Sequence, residues 1–325
     1  MTQMRAALFE RYGPPEVLYA GTRPIPVAGP NRLLVRVHAV TVNGGELILR
    51  SGRLPRWLMR GPFPRQTGLD FVGKVAEIGH RVHGYAVGDR VWGALDEQPD
   101  ENGQALRSLA DYVAVPPAHV APAPARLSAI EAVTLLGGVP ALIALRRKAA
   151  LQPAERLLVR GAAGGVGSIA VQLGRAFGAH VTGLGSTRTL EFIRRIGAEE
   201  AYDYRSTQPQ DLGPFDVVLD TVGTQMSHWR RQLAPDGRMV ATSFDMHHIA
   251  KSLATITASA VHGRGRIRFF RGSPEYGLLA ELTRMADDGL LQPVVDEVFP
   301  LSQVAEAHRR LADGGVHGKV VISLA

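Results

Sequence analysis

Residues 157–175, LLVRGAAGGVGSIAVQLGR, constrain the fold of this chain more than any other stretch. A strand-like apolar run passes directly into Gly161-Ala162-Ala163-Gly164-Gly165-Val166-Gly167, and an amphipathic helical pattern follows. Residues without bulk at such a turn let backbone N–H groups close on a pyrophosphate at a helix N-terminus. A glycine triplet alone is a weak signal, but one set between a strand and a helix is far more specific. Ala162, Ala163, Gly164, Gly165, Val166 and Gly167 are therefore candidate cofactor-binding residues.

The flanking pattern fits a dinucleotide fold. Short apolar runs at 157–159, 181–184, 216–219 and 239–241 alternate with helix-like segments. Such alternation predicts an α/β domain with a doubly wound parallel sheet of Rossmann type. Upstream, residues 32–42, 71–78 and 111–115 alternate apolar and polar side chains, the period of half-buried strands. Residues 116–124, rich in Pro and Ala, read as a linker, and residues 128–150 read as helical, with Ser128 and Glu131 at capping-box spacing. From about 264 a strand at 267–270, helices at 274–288 and 302–313 and a closing strand at 319–324 are expected. The simplest organisation inserts a nucleotide-binding domain, 126–264, between two parts of a β-rich domain, 1–125 and 265–325.

The end of the second parallel strand separates the two common dinucleotides. A free ribose 2′-hydroxyl usually meets an acid there. Here the strand ends in Leu184-Gly185-Ser186-Thr187-Arg188, with no acid until Glu191. Gly185 leaves room, Ser186 and Thr187 can donate hydrogen bonds, and Arg188 can pair with a 2′-phosphate. NADPH is predicted over NADH; the plainer alternative is a helix-capping Ser/Thr pair beside a surface arginine.

Composition narrows the chemistry. The chain has no cysteine, which excludes disulfides, thiolate zinc sites, iron–sulfur clusters and a cysteine nucleophile. No uninterrupted run approaches the ~20 apolar residues of a membrane helix, and residues 1–13 lack a signal-peptide pattern, so a cytoplasmic protein without membrane contact is the expectation. The net charge of +7 comes from arginine, 33 against 4 lysines. The densest clusters are Arg50, Arg53, Arg56, Arg60 and Arg65, then Arg264, Arg266, Arg268 and Arg271. With arginines scattered along the whole chain and few aromatics beside them, a solvated surface is expected rather than a nucleic-acid partner.

These residues resemble the medium-chain dehydrogenase/reductase superfamily, in its zinc-free quinone oxidoreductase (zeta-crystallin-like) branch. Glu155, Leu158, Ala162-Ala163-Gly164-Gly165, Gly167, Gln172 and Arg175 match that branch's glycine signature, and Ala154 departs from it. Gly68-Leu69-Asp70-Phe71-Val72-Gly73, Gly88-Asp89-Arg90-Val91, Ala307-His308 and Gly318-Lys319-Val320-Val321 are similar to further motifs of the superfamily. The resemblance implies that the β-rich part is a GroES-like catalytic domain. It places Asn43 and Leu69 where the zinc alcohol dehydrogenases carry a Cys and a His, so no metal site is expected. A metal there would polarise an alcohol or carbonyl oxygen. Its loss points to conjugated acceptors, quinones or α,β-unsaturated carbonyl compounds, over which transferred charge spreads.

The resemblance also implies roles for single residues. Asn43 would lie beside the nicotinamide and donate to the acceptor oxygen, with Glu46 close by as a second catalytic candidate. Tyr204 would line the 2′-phosphate, and Thr221, Val222 and Gly223 the middle of the cofactor. Ser243, Phe244, Phe269 and Phe270 would flank the nicotinamide, with the 269–270 strand at a homodimer interface. Val139 is carried as a cofactor neighbour and Lys319 as a phosphate contact. Pro140 stands where the branch commonly has Thr, and it cannot supply that hydroxyl. No Tyr occurs between Asn43 and Trp57 to act as a proton donor, so solvent is expected to protonate the product. The alternatives are an enoyl-thioester reductase or a non-enzymatic NADPH- or RNA-binding relative.

Overall fold

The computed structural model describes residues 2–53, 62–95, 107–245, 248–261, 267–270 and 274–324. Arg56, Trp57, Arg60, Arg264, Arg266 and Arg271, named above, lie outside the described residues. Two compact units divide the chain: Met1–Leu136, Ser273–Asp288 and Pro293–Ala325 form one, Gly137–Gly272 and Gly289–Gln292 the other. Both boundaries differ from those read in the sequence. Helix α2 (Ala129–Thr134) stays with the β-rich unit, and the strand Ile267–Phe269 joins the parallel sheet instead of returning to the β-rich unit.

In the β-rich unit, β1 (Gln3–Phe9) pairs with β2 (Leu18–Pro24) and with β4 (Arg65–Gln66), all antiparallel. A larger sheet contains β3 (Leu33–Thr41), β5 (Asp70–Ile78), β6 (Arg90–Ala94), β7 (Tyr112–Val115), β8 (Val120–Pro122), β15 (Val295–Pro300) and β16 (Lys319–Ser323). Its order is β15-β16-β3-β5-β6-β8, with β7 also on β3. Strand β8 lies inside the stretch expected to be a linker. The four prolines of that stretch, at 116, 117, 122 and 124, hid a three-residue edge strand in which only Pro122 lies, at the end, where a missing N–H is tolerated. Along β3, Leu33, Val35 and Val37 enter the main core, Leu34 is buried in a smaller cluster with Ala28 and Ala114, and Arg36 stays exposed. Strand β16 runs antiparallel to β3 with Val321 opposite Thr41, so the register carries Lys319 to the level of Asn43.

The second unit is a six-stranded sheet in which every pairing is parallel. Its order is β11 (Glu200–Asp203), β10 (His180–Gly185), β9 (Arg156–Arg160), β12 (Phe215–Asp220), β13 (Leu233–Ala241) and β14 (Ile267–Phe269). Leu157, Leu158, Val159, Val217, Val218, Leu219, Met239 and Val240 are fully buried, as continuous apolar runs in central parallel strands require. Strand order reverses at β9, since β10 lies on one side and β12 on the other. The crevice outside the carboxyl end of β9 is therefore the place where such sheets bind ligands. The glycine run leaves the sheet at that point and enters α4 (Gly167–Ala176).

One helical run, Ala129–Lys148, is long and apolar enough to cross a membrane by length and composition, although Glu131, Pro140, Arg146 and Arg147 interrupt it. Of its most apolar window, 72% is buried within the protein, which marks it as core.

His308, on α9 (Val304–Ala312), is fully buried, and neither ring nitrogen has a hydrogen-bond partner among the described residues. Burial, with a smaller contribution from Arg50, pushes its pKa down to about 3 from 6.5. Because the unfolded chain takes up this proton first, its stability contribution is complete above pH ~6.5 and is lost as pH falls toward 3. His308→Leu should flatten this dependence. Urea unfolding at pH 7 and pH 5 should show the wild type losing up to about 1.4 kcal/mol per pH unit more than the variant.

Candidate active site

Val139 apart, the cofactor candidates of the parallel-sheet unit lie at the carboxyl ends of its six strands. Gly161 takes a φ of +73°, open to glycine with little strain, and a Cβ there would stand 2.4 Å from Thr221 Oγ1. A Cβ on Gly167 would meet the Gly161 carbonyl oxygen at 2.1 Å. Bulk is therefore excluded where the turn closes between β9 and α4. Ala162 N donates to Leu184 O at 3.0 Å, and Gly164 N to Gly161 O at 3.0 Å, which pins the loop to the end of β10. Ser168, in the first turn of α4, is buried, and its Oγ has no partner among the described residues. A bare glycine loop, a helix N-terminus and an orphaned hydroxyl beside it fit a dinucleotide pyrophosphate. Val139 is buried in α3 (Gly138–Leu142) of this unit.

Beneath the loop lies a buried ion pair that the sequence reading did not single out. Arg160 Nη1 is 2.8 Å from Asp220 Oδ2, with side-chain exposures of 8% and 0%. The same guanidinium donates to Thr224 O at 2.7 Å and packs over Trp229 at 5.0 Å. Asp220 Oδ1 accepts from Val222 N and Gly223 N, both at 3.0 Å, while Thr221 Oγ1 donates to Arg160 O at 2.7 Å. The turn Thr221-Val222-Gly223 is thus tied to the strand that launches the glycine loop. A Cβ on Gly223 would lie 2.4 Å from Phe244 Cα, so this turn and the 243–244 segment are in close contact. Phe244 stacks edge-on against Phe269 at 5.6 Å, and Phe270 lies 6.0 Å from Lys148 Nζ. Ser243 is half-buried at the end of β13.

At the far end of this edge, Ser186, Thr187 and Arg188 follow β10, and Tyr204 follows β11. Gly185 serves a purpose other than the one expected of it. The space beside it holds Ile193 Cδ1 and Thr189 Oγ1, so it permits close packing of the next helix rather than room for a phosphate. Tyr204 is 53% exposed, with the Arg205 guanidinium 5.1 Å above its ring.

The β-rich unit carries a separate buried polar cluster. Asp70 accepts from Thr41 N at 2.7 Å, from Thr41 Oγ1 at 2.5 Å and from Asn43 Nδ2 at 3.2 Å. Lys319 Nζ donates to Thr41 Oγ1 at 2.9 Å and to Asn43 Oδ1, and stands 3.5 Å from Asp70 Oδ2. The expected phosphate contact of Lys319 meets a different placement here, since its ammonium is buried inside this cluster. Asn43 also donates to Thr41 O at 3.2 Å. Glu46, one turn into α1 (Gly44–Ser51), is buried and accepts from Asn43 N at 2.8 Å and from Gly68 N. Burial pushes its carboxyl up to about 7 against the pull of those two amides. In the sequence Asp70 stands out only as part of the 68–73 motif, since the strand register that brings it to Thr41 and Lys319 is not written in local pattern.

The sequence matches a model of the alcohol dehydrogenase GroES-like domain over residues 29–125 and one described as zinc-binding dehydrogenase over 196–322. It is 30% identical to the mitochondrial NAD(P)H oxidoreductase RTN4IP1 of Homo sapiens, over 99% of this chain and 90% of that protein. It is 31% identical to a 2-methylene-furan-3-one reductase of Solanum lycopersicum, over 99% of this chain and 79% of that protein. The structure of a quinone oxidoreductase from Coxiella burnetii covers 100% of both chains, with a TM-score of 0.89 and 26% identity. The residues present do not fit a zinc ion: the sequence has no cysteine, and among the described residues no three His, Asp or Glu converge.

The Lys319–Asp70 pair makes a direct expectation. Lys319→Met leaves the Asp70 carboxylate buried without its cation and should cost about 3 kcal/mol in urea unfolding. Adding Asp70→Asn should recover most of that loss, and a double-mutant cycle reads the coupling.

Proposed function

This chain belongs to the medium-chain dehydrogenase/reductase superfamily, in its zinc-free quinone-oxidoreductase-like branch, and on that premise we propose that it is an NADPH-dependent reductase of quinones or α,β-unsaturated carbonyl compounds. Two observations carry the reading: one unit has a complete glycine-loop edge, and among the described residues of the chain no group of His, Asp or Glu side chains is able to bind a metal. When bound, the reduced dinucleotide supplies a hydride. The residues of the chain then have positioning and electrostatic work. The loop 161–167 cradles the pyrophosphate, the turn 221–223 lies along the cofactor's middle, and Ser186, Arg188 and Tyr204 receive the 2′-phosphate.

The substrate class follows from where charge can go. Hydride added to a conjugated carbon places negative charge on an oxygen that already shares it with the π-system, so one good hydrogen-bond donor suffices. Asn43 supplies that donor. Its two amide hydrogens are held by Thr41 and Asp70, and the acceptor oxygen takes one of them over on binding. Lys319, bonded to Asn43 Oδ1, keeps the amide in this orientation. The single proton that completes the product after hydride transfer comes from water. The likeness to a quinone oxidoreductase and to a 2-methylene-furan-3-one reductase supports the same class.

NADPH consumption should be followed with a naphthoquinone, a simple enone, a crotonyl thioester and a saturated ketone under identical conditions. Turnover of the first two is expected, with the saturated ketone inert and NADPH bound more tightly than NADH. Ready turnover of the saturated ketone would sink the reading, and a clear preference for the thioester would move the chain to the enoyl reductases. We also read the chain as a homodimer. Among the described residues β14 pairs only with β13, and Phe269 on it is 40% exposed. Light scattering should return about twice the chain mass of 35.0 kDa.

A further inference from the structure

We infer that Asp203 is a specificity-determining residue of the nucleotide site, and that its carboxylate restrains the preference for a 2′-phosphorylated dinucleotide. The inference rests on the dinucleotide reading of the parallel-sheet unit and adds a residue that the strand-end rule does not reach.

No acid follows β10 in sequence, but the fold brings one there. Strands β10 and β11 are parallel with Gly185 paired to Asp203, and Tyr204 N donates to Gly185 O at 3.0 Å. Asp203 therefore stands level with the last residue of β10, where dinucleotide folds read the ribose. Its Oδ2 accepts from Thr187 N at 3.0 Å and from Thr187 Oγ1, and its Oδ1 accepts from Arg205 N at 2.8 Å. Both donors of Thr187, offered by the sequence to a phosphate, are thus already taken by a carboxylate. The Thr187 hydroxyl holds that carboxyl below its usual range, so it stays ionised at neutral pH.

Opposing charges meet at this position. Arg188 is exposed, without a partner among the described residues, and Arg205 lies over the ring of Tyr204. Both guanidiniums favour a 2′-phosphate, which carries nearly two negative charges. Asp203 repels that dianion, whereas a free 2′-hydroxyl can donate to it. Two arginines and one carboxylate therefore produce a moderated NADPH preference rather than an absolute one. The geometry of Thr187 is a separate matter, because an amide at position 203 still offers an oxygen to Thr187 N.

Fluorescence titration of the full chain with NADPH and NADH, for wild type and Asp203→Asn, tests this. The variant should bind NADPH about ten-fold more tightly, the effect of removing one charge a few ångströms from a dianion in water. NADH should change by less than about two-fold or weaken, and the gain for NADPH should shrink at ~0.5 M salt. Asp203→Ser should shift the ratio of the two Kd values in the same direction, so that a folding defect in one variant does not decide the outcome. An unchanged ratio, or equal weakening of both cofactors, would overturn the inference and leave Asp203 as a pin for Thr187. A wild type that prefers NADH removes the NADPH assignment, while the shift between wild type and variant still judges Asp203. A chain that binds neither nucleotide removes both.

Discussion

Backbone approaching backbone at the carboxyl end of β9 is the constraint on which the parallel-sheet unit depends. Between Gly161 and Gly167 the chain must turn from strand to helix with only 2.1 Å between a notional Cβ and a carbonyl oxygen. No side chain fits, and the adjoining turn 221–223 presses on the same glycine. That crowding leaves the outer side of the loop bare, which is what a pyrophosphate requires. The buried Arg160–Asp220 pair secures the arrangement from below. Arg160 also donates to Thr224 O and Oγ1, and Asp220 accepts from Val222 N and Gly223 N, so the pair fixes geometry more than it adds net stability.

Electrostatics in the β-rich unit follows a different logic. The Asp70 carboxylate and the Lys319 ammonium are both removed from water, and each is compensated by several short contacts rather than by one another alone. Thr41 and Asn43 act as bridges, each touching both charged groups. A network of this kind tolerates little rearrangement, because any orphaned member would carry its full desolvation penalty. Glu46 extends the same principle to the helix start, where two backbone amides hold a carboxyl that burial alone would neutralise. The loop that carries Asn43 and its two following glycines is thereby fixed at its entry and at its first helical turn.

The nucleotide end shows how a rule stated for one strand can be met by another. The reading of residues 184–188 as acid-free is true of the sequence, and an acid stands beside the end of β10 nonetheless. Asp203 arrives from the adjacent strand because β11 is short and in register with β10. Gly185, which looked like room for a phosphate, is packing against Ile193. Both findings arise from strand pairing and helix packing, neither of which leaves a mark within a five-residue window.

What the sequence determined by itself is the local chemistry: the glycine loop between strand and helix, the parallel-sheet alternation, the capping box at Ser128 and Glu131, and the absence of cysteine. These depend on periodicity, bulk and backbone freedom, which act over a few neighbouring residues and are visible in one dimension. Strand β8 was missed because prolines resemble a linker until an edge position excuses them. The boundary at 264/265 moved because β14 is too short for its pairing partner to be told from pattern. Tertiary structure alone decided the partners of Lys319, Asp70, Arg160 and Asp203. Each depends on register between strands that are distant in the chain, and the free energy that selects that register is spread over the whole buried face rather than held in the residues it brings together.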